Sequence, residues 1–244
     1  MKILITGANK GIGFALANRL GKSGHELFIG ARSIEKGNAA VTQLMAQGIS
    51  AHFIQLDLNQ PENFSELLNQ LPELDLLINN AGIPDRPKAN QAALDLGKST
   101  FDYETEDLRQ TMAVNFFGTH ALIQNLLPKL SEAGKIVNIT IPIMPTTNWH
   151  PLAYQTSKAA LNVMTMAYAY EFEQMKSLKQ CFGVMPGAVA TDLNGLPFGK
   201  GSFVKSPEQA AETIARIIFD GQNHNGQMVQ YDGKIVSSYE RDLF

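Results

Sequence analysis

Tyr154 and Lys158, in the run YQTSK, stand four residues apart. On a helix that spacing sets both side chains on one face, one turn from each other. A phenol has an ordinary pKa of about 10 and exchanges protons poorly at neutral pH until a neighbouring cation stabilises its anion. A lysine ammonium at i+4 is such a cation, so the pair reads as a proton donor with an electrostatic partner. The spacing is not specific by itself, and its place in the chain has to carry the claim.

A second group of residues suits a different task. ITGANKGIGFALANRL puts Gly7, Gly11 and Gly13 where a strand-like run gives way to a helical one. Glycine permits the tight turn and lets main-chain N–H groups approach a pyrophosphate, while the positive end of the helix faces its charge. The next strand-like run ends in Ala31-Arg32, with Lys10 nearby in the glycine loop, where a site preferring NAD carries a carboxylate for the ribose hydroxyls. A guanidinium pairs bidentately with a 2′-phosphate, so NADP(H) is expected over NAD(H). Glu35 is the nearest acid, and it falls behind Ser33, where it suits the first turn of a capped helix.

These residues need elements to position them. Short apolar runs recur along the chain as KILITG, HELFIGA, SAHFIQLD, LDLLINNAG, GKIVNIT, QCFGVMPG and GQMVQYDG. Between them lie amphipathic stretches over 13–23, 35–47, 62–70, 105–130, 152–176 and 207–219. Strand alternating with helix predicts an α/β fold, a single doubly wound Rossmann-type domain over 1–244. About seven parallel strands would carry helices on both faces. The Tyr–Lys pair then opens a helix after the fifth strand and faces the crevice at the carboxyl ends of the sheet. Two irregular segments, 83–103 and 188–205, follow predicted strands and are placed to cover a substrate.

The composition narrows the partners. Of 244 residues, 44% are hydrophobic and 18% charged, a globular balance without a disordered signature. A net charge of −3 and the lack of a basic stripe give no reason to expect nucleic acid, so a small-molecule substrate is expected. The single cysteine, Cys181, lies in an apolar run, reads as a buried strand residue and rules out an internal disulfide. The start MKILITG enters a strand directly, and no run approaches the roughly 18 apolar residues of a membrane span. A cytoplasmic protein without membrane partner is expected, either a monomer or a homo-oligomer.

The loop TGANKGIG, spaced Gly-x-x-x-Gly-x-Gly, resembles that of the short-chain dehydrogenases/reductases, and the resemblance spreads along nearly the whole chain. Asn79-Asn80-Ala81-Gly82, Asn115 within VNFFGTH, the YQTSK run, and PGAVATD from Pro186 match that family's landmarks in order. GANKGIGFA, ARSIEKGNAAV, NNAGI, NFFGT and NGQMVQYDGK are similar to the NADPH-dependent carbonyl reductase branch, without the long insertion before the tyrosine that its animal members carry.

The resemblance implies hydride transfer between a nicotinamide and a carbonyl carbon, with Tyr154 as proton donor. It implies that Lys158 also binds the nicotinamide ribose and that Asn115 holds a water beside Lys158, completing a relay. Cofactor contacts are implied for Gly7, Asn9, Lys10, Gly11, Ile12 and Gly13, for Arg32, for Asp57 at the adenine ring, and for Leu58. Asn80, Ala81 and Gly82 would follow along the cofactor channel, then Tyr154 and Lys158. Pro186, Gly187, Val189 and Thr191 complete the set, Thr191 at the nicotinamide amide. No metal is expected.

One departure stands against this reading. Aligned without gaps on the family's VN-x-Ser-Ser ending, IVNIT puts Thr140 on the first serine and Ile141 on the second, which is the catalytic one. Losing one oxyanion-type donor costs about 10² to 10³ in rate, so chemistry is slowed and not abolished. Thr140 is one residue off, and in a regular strand it points to the other face. Pro142 and Pro145 break that regularity, which leaves Thr146 or Thr147 as substitutes, or Ile141 as padding of an apolar pocket with Met144 and Trp149. His150 reads as a loop residue or a substrate contact. The expected function is NADPH-dependent reduction of a carbonyl on a small, moderately apolar substrate. The alternatives are an NADP(H)-binding sensor with weak or no catalysis because of Ile141, and reduction of a conjugated carbon–carbon bond.

Overall fold

Along the first strand, β1 (Lys2–Thr6), Ile3 and Ile5 turn to one face and Leu4 to the other, and all three are fully buried. A strand that buries both faces belongs in the middle of a covered parallel sheet. In the computed structural model, which describes residues 1–69, 71–85, 98–143, 151–193 and 203–237, β1 lies between β2 (Glu26–Ala31) and β4 (Leu74–Asn79). With β3 (Ala51–Gln55), β5 (Leu130–Ile139), β6 (Gln180–Met185), β7 (Met228–Gln230) and β8 (Ile235–Ser237), the sheet order is β3-β2-β1-β4-β5-β6-β7-β8. The chain winds outward on one side from β1 and on the other from β4. The crevice at their carboxyl ends is therefore the topological switch point.

The two faces are covered by different helices. One layer packs α1 (Gly11–Gly21), α2 (Ile34–Met45) and α7 (Pro207–Ile218) against Ile3, Ile5, Ile29 and Ile78. The other packs α3 (Phe64–Asn69), α5 (Thr119–Leu126) and α6 (Leu152–Gln174) against Leu4, Phe28, Leu77 and Ile136. Each such side chain taken fully out of water contributes about 1.5–3 kcal/mol.

The doubly wound sheet is the one expected, with β1 to β7 parallel, and the described residues add two features. The sheet has eight strands and is not wholly parallel: β8 returns antiparallel to β7 through a turn at Asp232-Gly233, with Gly233 at φ +89°. Three residues at the sheet edge are too few to register as an apolar run, although Asp-Gly is a hairpin signal. The stretch over 105–130 is not one helix either. It divides into α4 (Thr105–Met112), a π-helical turn (Ala113–Gly118), α5 and a 3₁₀ turn (Leu127–Lys129) before β5 starts at Leu130. Gly118 explains the tight passage: a Cβ there would lie 2.1 Å from the Leu58 carbonyl oxygen.

Candidate active site

At the dinucleotide end, Gly7 and Gly11 hold φ values of +65° and +57°, which only glycine adopts readily. A Cβ at Gly13 would come within 2.5 Å of both the Gly7 oxygen and Asn80 Nδ2. Asn80 donates from Nδ2 to the carbonyls of Thr6 (3.0 Å) and Gly7 (3.2 Å), while Thr6 Oγ1 accepts the main-chain N–H of Asn80 and Ala81. The end of β4 is thus stitched to the glycine loop. Helices α2, α4 and α7 each carry a side-chain cap, from Ser33, Glu104 and Ser206. Helix α1 does not: its N-cap is Lys10, without a capping bond, and no acid stands in its first turn. Its leading N–H groups and positive end are left for an anion, and the residues fit a dinucleotide pyrophosphate.

Arg32 is exposed at the end of β2, and Glu35 sits in the first turn of α2 behind the Ser33 cap. Asp57 Oδ1 accepts the Asn59 N–H at 3.0 Å, Leu58 is buried, and Asn9 and Ile12 are partly buried in the loop and first turn of α1. Lys10 Nζ lies 2.8 Å from Asp192 Oδ2, joining the glycine loop to the segment after β6. Both partners are largely exposed, so this pair contributes little and breaks cheaply. In the same segment, Gly187 sits at φ +81° and Val189 bridges to Lys205. Lys205 donates to the Pro186 carbonyl at 2.8 Å, and Thr191 is the residue nearest to a Cβ placed on Gly11.

At the chemical end, the π-helical turn swings Asn115 out of regular helical rows. Its Nδ2 donates to the Ile83 carbonyl and to Ser157 Oγ, both at 2.9 Å, and its Oδ1 accepts the Ile83 N–H at 2.8 Å. Ser157 Oγ donates to the Tyr154 carbonyl at 2.7 Å. Asn115 therefore clamps the chain after β4 to the first turns of α6. Tyr154 and Lys158 follow on that helix, 8% and 3% exposed. Lys158 Nζ donates to the Ile139 carbonyl at 2.8 Å and lies 5.7 Å from the centroid of the Tyr154 ring. A Cβ on Gly82 would stand 3.2 Å from Asn115 Oδ1 and 3.7 Å from Lys158 Nζ, so the two ends of the site share one wall.

A profile of the short chain dehydrogenase family matches residues 1–197. The chain belongs to that family. The short-chain dehydrogenase anuI of Penicillium roqueforti (strain FM164) is 32% identical, over 96% of this chain and 95% of that protein. The NADPH carbonyl reductase 1 of Macaca fascicularis is 31% identical, over 93% and 94%. Among solved structures, a short-chain dehydrogenase from Burkholderia cenocepacia J2315 in complex with NADP superposes with a TM-score of 0.78 at 27% identity, covering 95% of this chain and 96% of that one.

Burial dominates the electrostatics of the Tyr154–Lys158 pair. Burial pushes the Tyr154 phenol well above its ordinary range, and the carboxylate of Asp85 pushes the same way. Burial also lowers the Lys158 ammonium, to about 8.

Thr140 takes the orientation that strand alternation predicts: its hydroxyl donates to Asn162 Oδ1 on α6 at 2.5 Å, and Asn162 Nδ2 reaches the Ile141 carbonyl at 3.4 Å. Thr140 is thus committed away from a substrate. Met144, Pro145, Thr146, Thr147, Trp149 and His150 lie outside the described residues, as do 86–97 and 194–202 of the two expected covering segments. Sequence reasoning missed Asp85, Tyr103, Ser157 and Asn162. Ser157 alone left a trace, at i+3 from Tyr154.

Proposed function

We propose that this chain is an NADPH-dependent reductase of a carbonyl group on a small, moderately apolar substrate, with Tyr154 as proton donor. One observation carries the reading: the uncapped start of α1 and the Tyr154–Lys158 pair are joined through Asn80 and Gly82 into one continuous wall. The glycine loop and the open start of α1 would hold a dinucleotide by its phosphates. Such a group, when bound, would supply the hydride and, once oxidised, a positive charge.

The rest falls to the chain itself. The loop of Gly7, Gly11 and Gly13 holds the pyrophosphate, Arg32 and Lys10 hold the 2′-phosphate, and Asp192 releases Lys10 for that purpose. Lys158 holds the nicotinamide ribose. Tyr154, kept protonated by its surroundings, carries a proton at neutral pH as a donor must. Lys158, with an ammonium near 8, exchanges protons in the working range and returns one to the phenol, with Asn115 fixing its neighbourhood. Ile141 supplies an apolar wall where the family carries a donor.

The sensor reading keeps one observation in its favour, since the hydroxyl nearest to Ile141 in sequence is spent on Asn162. NADPH consumption over a panel of aldehydes and ketones separates the two. Turnover that falls about 10²- to 10⁴-fold in Tyr154→Phe while NADPH still binds supports the reductase. Tight NADPH binding with no turnover on any carbonyl supports the sensor instead. In Ile141→Ser, a faster reaction marks the isoleucine as a lost donor, and a slower one marks it as part of the substrate pocket.

A further inference from the structure

Helix α6 begins without a cap of its own: its N-cap is Pro151, with no capping side chain and no acid in the first turn. The N–H groups of that turn are met from elsewhere. Asp85, 3% exposed and 69 positions earlier, accepts the Tyr154 N–H through Oδ1 at 2.5 Å. Its other oxygen accepts the hydroxyl of Tyr103, and the Leu152 N–H donates to that same phenol oxygen. Tyr103 is held in turn by Lys98, whose ammonium lies 4.2 Å from the ring centroid and 2.7 Å from Asp107 Oδ2 on α4.

We propose that Asp85 and Tyr103 form a remote cap on α6, which holds the Tyr154 turn in place and sets a carboxylate on the turn that bears the phenol. The cap rests on the reductase reading given above and names two positioning residues for it. An unmet N–H at a buried helix start is destabilising, and a carboxylate suits the positive end of the helix. Among the described residues, the charged and titrating groups facing this turn are Asp85, Tyr103 and Lys98 from the segments before α4, Asp107 from α4, and Lys158 one turn along α6. Of these, Asp85 is the one whose charge is felt at Tyr154, and it disfavours the anion. Both stems of the segment 83–103 are thereby tied to the turn that bears the phenol.

Asparagine at 85 keeps an oxygen for the Tyr154 N–H and loses the charge; alanine loses both. In the reductase with NADPH and a carbonyl substrate, the alkaline limb of the kcat profile is expected to move to lower pH by about one unit in Asp85→Asn, as removal of a nearby like charge dictates. Asp85→Ala should show the same displacement with a plateau kcat at least ten-fold lower, and the asparagine variant should recover most of that loss. Amide exchange supplies a readout independent of turnover: the Tyr154 N–H should lose protection in the alanine variant and keep it in the asparagine variant. An alkaline limb that stays in place in Asp85→Asn overturns the electrostatic half of the proposal. Unchanged Tyr154 exchange in Asp85→Ala overturns the cap. Failure of the reductase reading looks different, with no carbonyl turnover in the parent protein while the exchange difference persists.

Discussion

Lys158 shows how strongly one buried charge weighs on this protein. The unfolded chain keeps that proton up to about pH 10.5, whereas the folded one releases it near 8. Between those values the unfolded state binds more protons, so this group's contribution to stability rises with pH across the window and is most adverse below it. The difference corresponds to about 3 kcal/mol, offset in part by the hydrogen bond to Ile139. Methionine has a similar length and no charge. Lys158→Met is therefore expected to abolish turnover yet raise stability at pH 7 by about 1–3 kcal/mol, with most of that gain gone by pH 10. Urea denaturation of both proteins at the two pH values checks this, and a gain that is absent, or equal at both, refutes it. A costly ammonium that the fold tolerates is the kind of local conflict expected at a working site.

At the scale of elements, the junction of β1, β4 and α1 has no spare room. An alanine at position 13 must displace both the Gly7 carbonyl and Asn80 Nδ2, and the latter already bonds two carbonyls. Overpacking of this kind costs about 1–3 kcal/mol. Gly13→Ala should keep the fold but bind NADPH at least ten-fold more weakly, measured by titration calorimetry; affinity within two-fold of the parent would remove the glycine loop from the binding account. That junction was legible in the sequence because strand, glycine loop and helix are local signals. The same holds for the seven apolar runs that became β1 to β7, and for α2, whose Ser33 cap and Glu35 appear where their spacing places them. The π-helical turn left no mark, and the contact at its end, Gly118 against Leu58, joins residues sixty positions apart. Asp85 was equally silent: a lone acid in an irregular stretch has no period, and its partners come from α6 and the segment before α4 only once the chain has folded. Local periodicity reveals elements, whereas tertiary approach decides what a single loop residue touches.

For the whole molecule, the decisive quantity is the free energy that a dinucleotide adds to the folded state. Net charge is −3, yet the rim of the crevice presents Lys10 and Arg32 beside the open start of α1, so the local field favours an anion that the overall charge does not. A ligand at one hundred times its dissociation constant stabilises the native state by about 2.7 kcal/mol. For a chain of this length that amounts to about 5–10 °C in the melting temperature. NADP⁺ is expected to give a rise of that order, and NAD⁺ at the same concentration a small fraction of it. Arg32→Ala should bring the NADP⁺ shift down towards the NAD⁺ value, while leaving the melting temperature of the free protein unchanged, because the exposed guanidinium supports no packing. Asp192→Ala tests the other cation: with its partner removed, Lys10 is free for the 2′-phosphate, and the NADP⁺ shift should grow while the NAD⁺ shift does not. Equal shifts with the two dinucleotides in the parent protein would strip Arg32 and Lys10 of their role together, since the 2′-phosphate is the one group by which these ligands differ.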